Sequence, residues 1–278
     1  MMFSNVRAGI NIALFLSLVG ILLPPYVVCL GLAPKKRHLV GQLFFKGCLK
    51  LTGLKLNVTG APSANVALFA ANHSSYLDIL VLGACVREGV FVAKSEVASW
   101  PLFGFLARLS RTLFISRNPK DALHQRKIFS DRLKQGTSLI LFPEGTSTNG
   151  SHVKTFKSTL FSALDDISVK ALVQPVSVTY TRHKNGQPLS PFEREKYTWF
   201  GDMTLAPHLI NVFGSKGCEV EVVFHAPFVS AECFDRKQLA KACENIIADQ
   251  VKATLATLKP IDTVIHDQES VPLFIGAE

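Results

Sequence analysis

Charged residues are scarce in this sequence. They make up 18% of its 278 residues, below the quarter that is usual in soluble domains, while 48% of the chain is hydrophobic. This balance excludes a disordered chain and favours a membrane-associated protein. Acidic residues are the rarer sign, because 21 Asp and Glu stand against 30 Lys and Arg and leave a net charge of +9. The excess predicts an anionic partner, such as phospholipid headgroups, nucleic acid or a phosphorylated substrate.

Metal-ligand and nucleic-acid-binding motifs are also missing. None of the six cysteines forms a C-x-x-C pair, and a chain of this length needs no disulfide to hold its fold. We therefore interpret the cysteines as apolar residues in a reducing compartment and expect no bound metal. The Lys and Arg residues are mixed with acids and accompany no recognised motif, so a nucleic-acid partner is not expected.

No charged residue appears from Ala8 to Leu32. It is long enough to cross a bilayer, but Pro24-Pro25 is expected to break or sharply kink a helix there. One kinked spanning helix and two short helices in a re-entrant wedge both remain open. In either case residues 1–38 are predicted to form a membrane anchor. The basic cluster at 35–37 predicts that the body behind the anchor is cytoplasmic.

Short β-rich runs alternate with helical stretches over residues 39–259. We predict strands at 54–58, 66–71, 89–93, 112–116, 138–142, 172–180 and 219–225, and helices at 76–86, 101–109, 120–135, 155–164 and 235–258. This alternation predicts one α/β domain with a mixed, mostly parallel central sheet of about seven strands flanked by helices. A helix at 39–51, with Lys46 and Lys50 on its polar face, is expected to lie at the membrane interface. Residues 260–278 carry four acids and no Lys or Arg, and are predicted to be an acidic tail.

His73 directly follows the predicted strand 66–71, and Asp78 comes five positions later on the first turn of a helix. At this spacing a carboxylate can fix the tautomer of the imidazole and stabilise the imidazolium that forms when the ring accepts a proton. The pair is therefore a candidate general base. A helix cap formed by Asn72, with an unrelated histidine beside it, fits the same residues.

Two further stretches end predicted strands. The turn from Phe142 to Ser147, with the letters FPEGTS, places Glu144 and free backbone N–H groups at the edge of the sheet where open α/β folds bind ligands. Arg117 ends the strand 112–116, and its planar guanidinium suits a phosphate. A solvated glutamate and a surface arginine are the simpler interpretations. Pro175 interrupts an apolar strand, which indicates an edge strand or an irregularity.

Taken in chain order, these four stretches resemble the four sequence blocks of the glycerolipid acyltransferase family, which includes the lysophosphatidate acyltransferases. The pairing of H-x4-D with F-P-E-G is highly specific, and the likeness extends from about residue 54 to residue 228. The resemblance implies that His73 is the general base and Asp78 its orienting partner. It also implies that four residues bind the acceptor, namely Arg117, Glu144, Gly145 and Thr146.

The family's reaction is O-acyl transfer from an acyl thioester to a free hydroxyl of a lysolipid. The resemblance implies that the donor is carried on coenzyme A or acyl carrier protein, and that no cofactor or metal is needed. The first expected acceptor is 1-acyl-sn-glycerol-3-phosphate, which gives phosphatidic acid. The expected partners are the bilayer, the lysolipid and the acyl carrier, at the cell inner membrane with the active site on the cytoplasmic side.

Two positions depart from the family's pattern. Arg111 stands where the second block usually begins with Gly, and Ser147 stands where the third usually continues with Arg. The missing guanidinium weakens the case for a phosphate monoester, although Arg111 and Lys154 are candidates to replace it. The stretch 197–208 looks more like the branch that includes lyso-ornithine lipid acyltransferases, which is the second expected activity. A non-catalytic lysolipid-binding relative stays open, whereas a serine hydrolase would need a complete G-x-S-x-G.

Overall fold

The computed structural model describes residues 2–116, 118–166, 171–232 and 235–258. Its helices are α1 (Met2–Leu32), α2 (Arg37–Thr52), α3 (Leu77–Cys85), α4 (Phe103–Leu109), α5 (Ala122–Lys134), α6 (Pro191–Arg194), α7 (Leu205–Gly214) and α8 (Arg236–Ala256). Its strands are β1 (Lys55–Thr59), β2 (Val66–Ala71), β3 (Val90–Lys94), β4 (Leu113–Ile115), β5 (Leu139–Leu141), β6 (Leu172–His183), β7 (Cys218–Phe224) and β8 (Phe228–Val229). The predicted acidic tail at 260–278 lies outside the described residues.

The strands form one sheet in the order β1-β7-β6-β2-β5-β3-β4, with β8 beside β6. The neighbours β1 and β7, β6 and β2, β2 and β5, β5 and β3, and β3 and β4 run parallel. Among the described strands, the antiparallel pairs are those that β6 makes with β7 and with β8. The prediction of a mixed, mostly parallel sheet is confirmed, and all seven predicted strands are present. The short strand β8 was not predicted.

Helices cover both faces of the sheet. Phe69 of β2 packs on the face of α2 and α3 with Val81, whereas its neighbour Leu68 packs on the face of α5 and α8 with Phe129 and Ile247. Successive side chains of a strand point to opposite faces, so both sets are buried. This double burial explains why the central strands are continuous apolar runs rather than alternating ones.

Helix α1 is continuous through Pro24-Pro25, so of the two alternatives left open the single helix is present and the two short helices are not. Proline removes a backbone donor from a helix, and the lost bonds must be offset by contacts elsewhere. Such contacts lie on both sides of the pair. The Asn11 amide donates to a backbone carbonyl of α7 at 2.8 Å, and the Tyr26 hydroxyl donates to one of α4 at 3.4 Å. These contacts hold α1 on the body of the domain.

The same contacts place α1 along the protein surface over most of its length. Phe15 is buried in an aromatic cluster whose members come from α2, α4 and α7. The outward side is apolar, with Ile10 and Ile21 more than half exposed. Over Ser4–Leu32 the helix is long and apolar enough to cross a membrane. Its exposed apolar side is what a lipid-facing helix needs.

The other helix predictions have mixed outcomes. The helices at 39–51, 76–86, 101–109, 120–135 and 235–258 are confirmed as α2, α3, α4, α5 and α8. The stretch 155–164 contains no α-helix, because a 3₁₀ helix occupies Ser158–Asp166. Helices α6 and α7 were not predicted. Pro207 lies in the first turn of α7, where its missing N–H costs no intrahelical bond, so it is compatible with the helix.

Pro175 does not mark an edge strand, since β6 lies between β2 and β7. The prediction of an irregularity is confirmed. The antiparallel neighbour is interrupted opposite Pro175, where β7 ends at Phe224 and β8 begins only at Phe228. In that gap the carbonyl of Pro175 still accepts a bond from the His225 N–H at 3.1 Å. The break accommodates a residue that cannot donate to the ladder.

Candidate active site

The buried carboxylate of Asp78 is the centre of the site. Its side chain has no solvent exposure, and its Oδ2 accepts from His73 Nδ1 at 2.9 Å. The backbone N–H groups of Ser74 and Ser75 donate to the same oxygen at 2.8 and 2.9 Å. The hydroxyl of Tyr180, on β6, donates to Oδ1 at 2.8 Å. The predicted pair of His73 and Asp78 is therefore brought together.

Bonding at Nδ1 fixes the state of the His73 ring. With Nδ1–H donated to Asp78, the remaining nitrogen Nε2 is the one that can accept a proton. The ring stacks on Phe142 with centroids 4.1 Å apart, which limits its rotation. The His73 side chain is 21% exposed, so it can be reached from solvent while its partner is fully enclosed.

Asn72 does not cap α3. Its amide donates to the carbonyl of Val178 at 2.9 Å, and its carbonyl accepts from the Val178 N–H at 2.8 Å. The side chain thus continues the pairing of β2 with β6 by one residue beyond the end of β2. This reciprocal bond holds β6 where Tyr180, two residues further along, can reach Asp78.

Glu144 joins the two loops of the site. It is 2% exposed, and its oxygens accept from the backbone N–H of His73 at 2.7 Å and of Lys154 at 2.8 Å. The interpretation as a solvated glutamate is therefore wrong. Burial raises the pKa of Glu144 to about 7, although the two backbone bonds act in the opposite direction. The carboxyl group is thus poised to titrate near neutral pH.

The turn that follows Glu144 closes around His73. Thr148 donates its N–H to the His73 carbonyl at 3.0 Å, while Gly145 and Thr146 are partly exposed at the rim. Gly145 has a φ of 66°, and a Cβ there would lie 2.9 Å from the Lys157 ammonium. A glycine therefore fits both the left-handed backbone and the lysine that lies across the turn.

The cations expected near this rim are placed differently. Arg117 lies outside the described residues. Arg111 precedes β4 at the amino end of the parallel strands, the end at which Val90 of β3 lies level with Leu68 of β2. His73 comes five residues after Leu68, beyond the carboxyl end of β2. Five extended residues span about 16 Å. Arg111 therefore cannot replace the missing guanidinium of the third block, and that expectation is wrong.

Sequence reasoning missed the long-range partners of the motif. Tyr180 is 102 residues from Asp78 along the chain, and no spacing rule connects them. The backbone N–H of Trp199 donates to the Ser74 carbonyl at 2.8 Å and so brings a later loop against the motif. The described residues contain no group of three or more His, Cys, Asp and Glu that could hold a metal ion.

Comparison with known proteins identifies the class. A family model described as Acyltransferase matches residues 55–179. The lyso-ornithine lipid O-acyltransferase of Rhodobacter capsulatus is 41% identical over 200 residues, covering 71% of this chain and 70% of the relative. That of Rhizobium meliloti is 34% identical over 262 residues, covering 92% and 88%. The 1-acyl-sn-glycerol-3-phosphate acyltransferase of Neisseria gonorrhoeae is 29% identical over 221 residues, covering 78% and 82%.

The protein is thus an acyltransferase of lysolipids. The chain belongs to the acyltransferase family that the sequence blocks indicated. Among solved structures, the 1-acyl-sn-glycerophosphate acyltransferase PlsC from Thermotoga maritima has the same fold, with a TM-score of 0.66 at 20% identity. The match covers 92% of this chain and 96% of that one.

Burial of Glu144 predicts a pH-dependent contribution to stability. Between its ordinary pKa of 4.5 and about 7, the folded chain holds a proton that the unfolded chain has released. The contribution is therefore greatest at the acidic end, falls as the pH rises and levels off above about 7. Glu144→Gln removes this titration. The melting temperature of the variant relative to that of the wild type should therefore increase as the pH is raised. Melting curves in detergent measure this difference, with Glu195→Gln as the control. If the melting temperatures of the wild type and of Glu144→Gln change with pH in the same way, the raised pKa of Glu144 is contradicted.

Proposed function

We propose that His73 is the general base for the acyl transfer and that Asp78 is its positioning partner. One observation carries this assignment: His73 Nδ1 is bonded to a carboxylate that is completely buried and has four donors. A carboxylate held in this way stabilises the imidazolium without itself taking the proton. The exposed part of the ring then faces the acceptor.

The proposed reaction has one proton acceptor and one bond exchange. Nε2 of His73 takes the proton of the lysolipid hydroxyl as its oxygen attacks the carbonyl carbon of the acyl thioester. The tetrahedral intermediate collapses with cleavage of the C–S bond. The imidazolium returns its proton to the departing sulfur, so the products are an ester and a free thiol. The donor would be an acyl-CoA or an acyl carrier protein thioester, and this chemistry requires no metal or cofactor.

The turn after β5 has two proposed roles. Both oxygens of Glu144 are taken by backbone donors, which favours a positioning role that fixes His73 relative to the turn. Gly145 and Thr146 are partly exposed and would contact the acceptor, together with Arg117. The lysine beside Gly145 adds positive charge at the same rim.

Replacement of His73 by Ala should lower turnover by about 10²- to 10⁴-fold, the usual contribution of general acid–base catalysis.

Tyr180→Phe removes one bond to Asp78, and we expect kcat to fall about tenfold with KM unchanged, because an ionic hydrogen bond contributes about 1.5–3 kcal/mol. Release of free thiol from an acyl thioester measures both.

A matched control is available for the Tyr180 variant. Tyr197 is also buried, stacks on Tyr180 at 6.2 Å, and donates its hydroxyl to the Gly217 carbonyl rather than to Asp78. Tyr197→Phe should therefore leave kcat near the wild-type value. Near-normal turnover in a folded His73→Ala protein would refute the base, and equal losses in the two tyrosine variants would refute the positioning role.

For the acceptor, we propose a lyso-ornithine lipid. Two of the relatives above carry that name, and Ser147 stands where the family usually adds a second guanidinium. An ornithine headgroup offers a carboxylate with a single negative charge, which needs fewer cations than a phosphate monoester. This places first the activity that sequence reasoning had ranked second.

Lysophosphatidic acid is the second candidate acceptor. The relative from Neisseria gonorrhoeae is named for that substrate. Lys154 is exposed and follows the turn, with its backbone bonded to Glu144, and Lys157 lies beside Gly145. Two ammonium groups at the rim could supply the charge that a phosphate requires.

Purified enzyme offered both lysolipids with one acyl thioester decides between these acceptors. We expect a preference for the lyso-ornithine lipid, and a gain for lysophosphatidic acid of at least about tenfold in Ser147→Arg, since one charge-assisted bond is worth roughly that much. Asn149→Arg, which adds the same charge two residues later, should change the ratio less. A wild-type preference above about 100-fold for lysophosphatidic acid would reject the assignment.

For localisation, we propose the cytoplasmic face of the inner membrane, with α1 as the main lipid contact. The helix packs on the body near both ends, through Ser4 and Tyr26, and its outward side is apolar. These contacts favour a helix embedded beside the domain over a free tether. The basic cluster at 35–37 favours the cytoplasmic side.

Ile21→Glu places a charge on the outward side of α1, where the side chain is 69% exposed. We expect the fraction that floats with phospholipid vesicles to fall at least about tenfold, because a charge inside a bilayer costs about 2.5–3.5 kcal/mol. Phe192→Glu, at a 74% exposed position on α6, is the control and should float normally. Equal flotation of the Ile21 variant would place the lipid contact elsewhere.

A further inference from the structure

A cavity of about 230 Å³ lies between the α1–α2 layer and the body of the domain. Much of its wall is apolar, with Leu22 of α1, Phe44 of α2, Leu106 of α4 and Phe91 of β3 among the lining residues. None of the site residues described above lines it.

The charged residues lining the cavity are mostly cationic. Lys35, Arg37, Arg87 and Arg111 stand against one acid, Glu88. That acid already has a partner, since His38 pairs with it at 3.2 Å. The lining therefore combines apolar walls with an excess of positive charge.

Arg111 and Arg37 are the centre of this charge. Burial lowers the pKa of Arg111, and the nearby like charges of Arg132 and Arg37 lower it further. Within the described part of the chain, no carboxylate lies at ion-pair distance from these three guanidinium groups. Like charges gathered without a protein anion favour an anion from outside.

The backbone at Arg111 gives a second, independent indication. Its φ is 63°, in the left-handed region that glycine adopts freely and other residues rarely adopt. The family usually has glycine at this position, so the backbone conformation alone does not require an arginine. In this chain, the residue with the left-handed backbone is an arginine that lines the cavity.

We infer that the Arg37–Arg111 pair binds the anionic headgroup of a membrane phospholipid whose hydrocarbon occupies the adjoining cavity. The apolar walls match an acyl chain, and the cations match a lipid phosphate. The site is separate from the acyltransferase centre, since Arg111 precedes β4 at the amino end of the parallel strands and the loop that carries His73 follows the carboxyl end of β2. The lipid is therefore a resident partner and not the acceptor.

Retained lipid in the full-length protein tests the inference. The protein is reconstituted in vesicles with equal parts of phosphatidylcholine and phosphatidylglycerol, extracted in a non-ionic detergent, and analysed by native mass spectrometry. We expect the wild type to retain phosphatidylglycerol in preference to phosphatidylcholine. Arg111→Gly should lower this retention at least about tenfold, the value of one charge-assisted bond.

The variants separate binding from folding. Glycine relieves the left-handed backbone, so Arg111→Gly should melt no lower than the wild type. Arg37→Gln removes the second cation without touching that backbone, and it should also lose retention. Lys184→Ala, at an exposed turn after β6, is the control and should retain the lipid.

Three results would overturn the inference. They are a wild type without preference for phosphatidylglycerol, variants at both arginines that retain it fully, and displacement of the lipid by excess inorganic phosphate, which would indicate a plain anion site. Acyl transfer is measured on the same samples. Loss of lipid retention with intact turnover would support a lipid site separate from the acyltransferase centre, whereas joint loss of retention and turnover would contradict that separation.

Discussion

The buried carboxylate of Asp78 is the constraint on which the rest of the site depends. An ionised carboxylate removed from water is costly, by several kcal/mol, unless hydrogen bonds replace its hydration. Here the replacement is complete on both oxygens. Three donors come from the loop before α3, and the fourth is the Tyr180 hydroxyl on a neighbouring strand. The fourth bond forms only when β6 lies beside β2, so the fold and the orientation of the proposed base are fixed together.

His73 is also held by hydrogen bonds, to both its backbone and its side chain. Its backbone N–H is held by Glu144, its carbonyl by Thr148 and its Nδ1 by Asp78. With the ring also stacked on Phe142, these bonds leave the Nε2 side as the free edge of the residue. A base positioned before substrate arrives needs little reorganisation during the reaction. Glu144 is central to this arrangement, because a single carboxyl group joins the loops after β2 and β5.

The sequence was informative where structure is local. Strands buried on both faces appear as apolar runs, and a base with its carboxylate five residues later has a recognisable spacing. The roles of Asn72, Tyr180 and Glu144 could not be predicted, because their partners are determined by which strands become neighbours in the sheet. The error over Arg111 has the same origin. Arg111 precedes β4, which leaves it at the opposite end of the parallel strands from the loop that carries His73.

The two edges of the sheet are nevertheless connected through packed rings. Phe91 lines the cavity beneath α1 and stacks on Phe142 at 6.4 Å, and Phe142 in turn stacks on His73 at 4.1 Å. Helix α3 runs beside this path, and its nine residues span about 13 Å from the catalytic loop towards the cavity. A close-packed core transmits small displacements. The α1–α2 layer, which is the proposed lipid contact, therefore also forms one wall of the packing around the proposed base.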